Sequence, residues 1–199
     1  MLQHKFQNSI LTIIGHLGML GILALAYWLW EERSIVFDNS LYSYKMIWRE
    51  WFYIPHDRKI NYLWQWIPVL TLKYGISLPT FLKFVSIAPI LFLYAVFAFI
   101  SHGLKNKLAG VYFVLCLVIL TRYKFYSAIS EVYLSMAFVA LMVGWLTIDR
   151  TQLLEISKRA YVIIGLLLIS MSYIGHPLIF YPLGAVSYTH LTLPTICSV

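Results

Sequence analysis

Ile10–Trp30 reads ILTIIGHLGMLGILALAYWLW, a run of 21 residues without a charged side chain. As an α-helix rising ~1.5 Å per residue it would reach roughly 31 Å, about the thickness of a bilayer's hydrocarbon core. It closes on Tyr27, Trp28 and Trp30, aromatics suited to the membrane–water boundary, and then on Glu31-Glu32-Arg33. A cleaved signal peptide would be shorter and would lead into a small-residue cleavage pattern, so the run reads as a retained transmembrane span.

The rest of the chain agrees with that reading. Hydrophobic residues make up 61% of it and charged ones 12%, with a mean hydropathy of +0.77. A water-soluble domain needs more polar surface than this, whereas a chain dissolved in lipid does not. The formal net charge is +7. Its basic residues are scattered between apolar segments instead of clustered, which points to loop charges meeting anionic headgroups and away from nucleic acid. Cys116 and Cys197 have no metal-type spacing. The P-loop, the Rossmann fingerprint and the His-Glu-x-x-His signature are all absent, so cytosolic nucleotide chemistry has no support.

Further apolar runs predict spans over 79–101, 108–121, 125–148 and 160–183, about five in all with 10–30. The expected fold is therefore an all-α, polytopic transmembrane helix bundle forming one domain over 1–185. Pro79 suits a first helical turn, and Gly175-His176-Pro177 predicts a kink in the last span. The 108–121 run is short for a span, and His102–Lys107 reads as a basic loop. Between the first two spans, 31–78 is the most polar stretch. Glu31, Glu32, Asp38, Glu50 and Asp57 lie there, with aromatics from Phe37 to Tyr53 recurring at three- and four-residue steps. That pattern predicts juxtamembrane helices lying in the interface, and Tyr62–Tyr74 a partly inserted one. Lys5, Lys105, Lys107, Arg150, Lys158 and Arg159 fall in segments that share one side, which predicts a cytoplasmic N-terminus. The expected location is a cell membrane, of the bacterial inner-membrane kind, with membrane lipids as partners.

Under that topology the first loop, Glu131 and His176 converge on the outer face. An ionisable group inside a span is costly unless paired or hydrated, so Glu131 is expected to face the bundle, either as a partner for Arg122 or Lys124 or as a functional group. His176 reads as a polar contact at the kink or as a cavity residue. Asp38 is either the N-cap of the helix that follows it, a role Asn39 could also fill, or a general base.

Phe37-Asp38 followed by Tyr42, the segment WIPVLTLKYGISL, the span PTFLKFVSIAPILFLYAVFAFI and the pair Ser130-Glu131 carry a resemblance. In this order the chain resembles the membrane-embedded GT-C glycosyltransferases that use polyprenyl-phosphate-linked sugars. The resemblance runs from the first span through Leu146. It implies a transferase acting at the outer face on an unidentified glycan, lipid or protein acceptor, with Asp38 as catalytic base and Glu131 as a further cavity acid. Tyr42 and His176 would contact substrate. Arg49, Arg58, Arg122 and Lys124 would stabilise the lipid-phosphate leaving group. Asp38-Asn39 stands where many relatives have two successive acids, so no cofactor is expected and a divalent cation is left open. The rival expectations are a transporter or channel using Glu131 and His176, and a non-catalytic membrane protein. Finally, VSYTHLTLPT at 186–195 resembles a translated sequencing adapter. Residues 186–199 are therefore expected to be an artefactual tail, and the natural protein to continue differently beyond Ala185.

Overall fold

The computed structural model describes residues 2–36, 38–54, 59–127, 131–148 and 156–175, without the side chains of 2–8, 121–124, 131–133 and 175. The elements are α1 (Leu2–Trp28), α2 (Trp30–Ile35), α3 (Asp38–Arg49), a 3₁₀ turn (Lys59–Asn61), α4 (Tyr62–Lys73), α5 (Leu78–Ala98), a π-turn (Phe99–Gly103), α6 (Lys107–Lys124), α7 (Glu131–Leu146) and α8 (Lys158–Gly175). No strand occurs among the described residues. The all-helical expectation holds.

Two helical stretches are long and apolar enough to cross a membrane unaided, Ser9–Trp28 and Leu78–Gly103, while Lys107–Leu120 and Leu134–Leu146 are shorter apolar helices. Several expected boundaries move. The first helix stops at Trp28 because Leu29 leaves helical geometry (φ −97°, ψ 32°), and Trp30 starts α2 instead of ending α1. In contrast, α6 runs past Thr121 to Lys124, since Arg122 and Lys124 are good helix formers and their charge does not end a helix. The run from Phe125 is not helical at its start: Phe125 and Tyr126 form a turn, and α7 is described over Glu131–Leu146. His102 belongs to the π-turn that prolongs α5, not to a loop. The expected kink at 175–177, the 176–183 part of the last span and the 186–199 tail fall outside the described residues.

Side-chain contacts fix the directions of the helices. Ser86 meets Ala26 and Phe97 meets Gly15, so α5 runs antiparallel to α1. Gly18 faces Val114, and α6 runs parallel to α1. Asn106, just before α6, bonds Thr147 just after α7, and Trp145 bonds the Tyr161 carbonyl in α8. The five longer helices thus alternate in direction. One apolar core joins α1, α5, α6 and α7 around Met19, Phe97, Ile100 and Leu117, all essentially inaccessible. A second lies where α3 and α4 meet the start of α5 and of α7, around Tyr42, Met46, Trp64, Phe81 and Leu134.

Two glycines are required by their surroundings. A Cβ on Gly15 would stand 2.5 Å from two atoms of the Phe97 ring, so only glycine lets α5 come this close. Gly75 takes φ +63° to end α4, and the Gly75 and Ile76 amides bond back to the Leu72 and Thr71 carbonyls. Outside the cores the helices show large apolar side chains, including Ile13, Leu17 and Leu25 on α1 and Ile163, Leu166 and Leu167 on α8.

Candidate functional site

The end of the bundle where α1 finishes carries the densest polar construction among the described residues. Its centre is Arg33, which α2 carries inward until only 2% of its surface is exposed. The guanidinium is used on all three nitrogens. Its Nε donates to Ser86 Oγ at 2.9 Å and one terminal nitrogen to the Ser86 carbonyl at 3.1 Å. The other terminal nitrogen donates to the Phe125 carbonyl, while Cζ lies 4.2 Å above the Phe125 ring. A buried cation costs several kcal/mol unless its donors are met, and a planar fork meeting fixed carbonyls is the arrangement that meets them. Ser86 in turn donates to the Ala26 carbonyl at 2.7 Å, and Ser34 to the Leu82 carbonyl at 3.3 Å. Helices α1, α2, α5 and the turn after α6 are thereby joined.

Asn39 extends this joint to α3. Its side-chain amide donates to the Arg33 carbonyl and to the Tyr126 carbonyl, the latter at 2.7 Å. Since α3 begins at Asp38, neither Asp38 nor Asn39 precedes the helix as its cap: Asn39 spends its amide on tertiary contacts, and Asp38 stands in the first turn. There the positive end of the helix dipole favours a carboxylate, which is exposed to solvent.

Asp38, Tyr42 and Arg49 share one face of α3, because offsets of four and eleven residues return to within about 40° of the start at ~100° per residue. Lys45 falls on the same stripe. Tyr42 is buried and meets the Tyr53 ring edge-on at 5.4 Å, and the Arg49 guanidinium lies 5.3 Å from the centre of that ring. Tyr53 is held by Gln65, whose amide accepts from the Tyr53 N–H at 2.9 Å and donates to its carbonyl at 2.8 Å. The long first loop is thus pinned to α4 by one reciprocal pair, with Asn61 accepting from Trp64 Nε1 below it at 3.1 Å.

Of the candidates read from sequence, Asp38, Tyr42 and Arg49 are therefore brought onto one helix face. Arg122 and Lys124 occupy the last turn of α6, next to the Phe125 and Tyr126 carbonyls that bind Arg33 and Asn39, and Glu131 opens α7. Arg58 and His176 lie outside the described residues. Arg33, Ser86 and Gln65 are additions that the sequence does not single out, and Asn39, a candidate cap in the sequence, makes tertiary bonds. Arg33 was grouped with Glu31 and Glu32 as a loop charge, although Gln65, alone within YLWQWIPVL, was a visible signal. Among the described residues no three His, Cys, Asp or Glu side chains gather as metal ligands. A groove of about 490 Å³ between α6 and α7, lined by Tyr112, Cys116, Met136 and Val143 with Asn106 and Thr147 at one end, takes no residue from α2 or α3.

No family model, curated protein or solved structure matches this chain.

Proposed function

We propose that this protein is a multi-pass membrane glycosyltransferase in which α1, α5, α6, α7 and α8 are the spans and α3 and α4 lie at the outer interface. The N-terminus would be cytoplasmic, and a polyprenyl-phosphate sugar would be the donor. Alternating helix directions and the apolar side chains exposed along α1 and α8 support the lipid setting. The exposed aromatics Tyr44, Trp48 and Trp51 on and beside α3, with Lys45 near the Tyr44 and Trp48 rings, suit a helix resting among headgroups.

The observation that carries the proposal is the placement of Asp38. Its carboxylate is open to water while its helix turn is fixed, through Asn39, to the Arg33 and Tyr126 carbonyls. A general base needs both properties, access to the acceptor hydroxyl and a fixed position from which to take its proton. In this reading Asp38 deprotonates the acceptor hydroxyl, whose oxygen attacks the anomeric carbon as the bond to the lipid phosphate breaks, inverting the configuration. Arg49, one of the candidate cations, shares the face of Asp38 and would receive the charge developing on the departing phosphate.

Asp38→Asn keeps the size of the side chain and removes its basicity. Membranes carrying the variant should insert it normally yet transfer sugar from polyprenyl-phosphate donors about 100-fold or more slowly than wild type. Undiminished transfer would remove Asp38 from the chemistry. Cysteine labelling in intact cells that placed position 38 and the Arg122–Lys124 turn on opposite sides of the membrane would remove the whole assignment.

A further inference from the structure

The opposite end of the α1–α5 pair holds a second polar group that the proposed transfer chemistry does not use. His16 is the one imidazole in the charge-free run of α1. Its Nδ1 lies 2.8 Å from the Tyr94 hydroxyl and its Nε2 lies 3.0 Å from Nε2 of His102. The π-turn, marked by the Leu104 N–H bonding the Phe99 carbonyl at 2.9 Å, sets the position of His102. An extra residue in a helical turn rotates the residues beyond it, and such turns recur at functional positions.

The two nitrogens point at each other. A ring nitrogen sits about 1.1 Å from the centre of a five-membered ring with bonds of ~1.33 Å. A straight line through a 3.0 Å gap then separates the ring centres by about 5.2 Å, against the 5.3 Å observed. The lone-pair axes are therefore close to collinear. Tyr94 can accept from His16 Nδ1–H, which leaves the His16 Nε2 lone pair free. An outer partner that fixes tautomer and ring orientation in this way is typical of a metal-bound imidazole. Among the described residues only two such donors meet here, and they face one another along a line. Divalent zinc, nickel and copper(II) want four or more ligands in bent arrangements, whereas a monovalent d10 cation is satisfied by two nitrogens at 180°.

We propose that His16 and His102 form a linear two-coordinate site for a monovalent d10 cation, Cu⁺, with Ag⁺ as its redox-inert analogue. The ion sits midway, roughly 2 Å from each Nε2, so the gap opens by about 1 Å. His102 is solvent-exposed and can move this far, while His16 is held by Tyr94 and by edge-on contact with Phe97 at 5.1 Å between ring centres. Two dative N–metal bonds form and the N–H···N hydrogen bond breaks. Its proton passes through water to His102 Nδ1, so no net proton is released and no electron moves.

The test uses the whole chain purified in detergent, with Cys116→Ser and Cys197→Ser to remove thiol binding. Ag⁺ is titrated calorimetrically, and Cu⁺ anaerobically against a coloured chelator. The expected result is one ion per chain, affinity lowered about tenfold or more by His16→Ala or His102→Gln, and about tenfold by Tyr94→Phe through lost orientation. His102→Met, which returns a soft ligand, should restore Ag⁺ binding, which separates ligation from a folding defect. X-ray absorption should show two nitrogen neighbours. Absence of stoichiometric binding in the parent chain, equal binding by the histidine variants, or a site of three or more ligands would each overturn the proposal and leave the pair as an interhelical hydrogen bond.

Discussion

Arg33→Met should be among the most damaging single substitutions in this bundle, and its size can be reasoned from the contacts. Methionine approximates the length of the arginine stem and keeps its apolar packing, so what disappears is the guanidinium. Three donated hydrogen bonds go, two to Ser86 and one to the Phe125 carbonyl, together with the stack on the Phe125 ring. Replacing both members of a buried polar pair by apolar groups is often harmless. Here two of the three acceptors are backbone carbonyls, which no substitution can remove, so they stay behind without these donors. A charged hydrogen bond contributes about 1.5–3 kcal/mol, and each stranded acceptor costs about 1–3. Partial relaxation and overlap between the terms bring the expected net loss to about 3–5 kcal/mol. Arg33→Lys keeps the charge but not the fork, and should lose about half as much. The assay is reversible unfolding in mixed micelles followed by tryptophan fluorescence, with Arg33→Met, Ser86→Ala and the double variant forming a cycle. The coupling energy should be about 1 kcal/mol or more, since the two residues share a bond. If Arg33→Met unfolds within about 1 kcal/mol of wild type, Arg33 is not the buried joint described here.

The same contacts set other outcomes. Gly15→Ala should destabilise by about 1–3 kcal/mol in the same unfolding assay, because the new methyl meets a Phe97 ring already hemmed in by His16 and Tyr94; Gly21→Ala, with open space around it, should be neutral or slightly stabilising. Gln65→Leu leaves the Tyr53 N–H and carbonyl without their partner and should release the segment after α3, read as faster amide exchange at Tyr53 and proteolytic cutting near residues 51–54. Under the proposed function, Asn39→Ala should cut sugar transfer without changing the Asp38 carboxylate, since it frees the turn that positions it, whereas Asn39→Asp, an acceptor where a donor is needed, should be worse.

The parts of the fold that could be read from sequence are those set by hydrophobic length and by local chemistry. The charge-free run of Ile10–Trp30 and Pro79 in the first turn of α5 both act within a few residues of themselves. Boundaries governed by tertiary contacts were less visible. Arg122 and Lys124 suggested an end to α6, but a helix ends where its backbone leaves helical geometry, and there the Phe125 and Tyr126 carbonyls turn to Arg33 and Asn39. Arg33 itself sits among charges in the sequence, and nothing local distinguishes an arginine that snorkels to water from one that folds inward onto a serine 53 positions away. The shared face of Asp38, Tyr42 and Arg49 follows from helical spacing once the range of α3 is known; the Tyr53 ring on which Tyr42 and Arg49 converge depends on Gln65, in another helix.

A physical reason connects the two polar sites. Helices α1 and α5 face each other mainly through apolar side chains, and such surfaces tolerate sliding because one well-packed register resembles the next. Polar contacts are less forgiving, since a slip of one residue turns a helical side chain by about 100° and strands its partner. Ser86 on Ala26 and Arg33 fixes the antiparallel pair at one end, and His16 between Tyr94 and His102 fixes it toward the other. Beside the second joint, Gly15 admits Phe97 only in this register. Loss of either polar joint should therefore loosen the other, and the cycle Arg33→Met with His102→Gln is the measure: contacts this far apart would ordinarily add within about 0.3–0.5 kcal/mol, so a larger coupling is the signature of a shared register, and simple additivity would mean that apolar packing alone sets it.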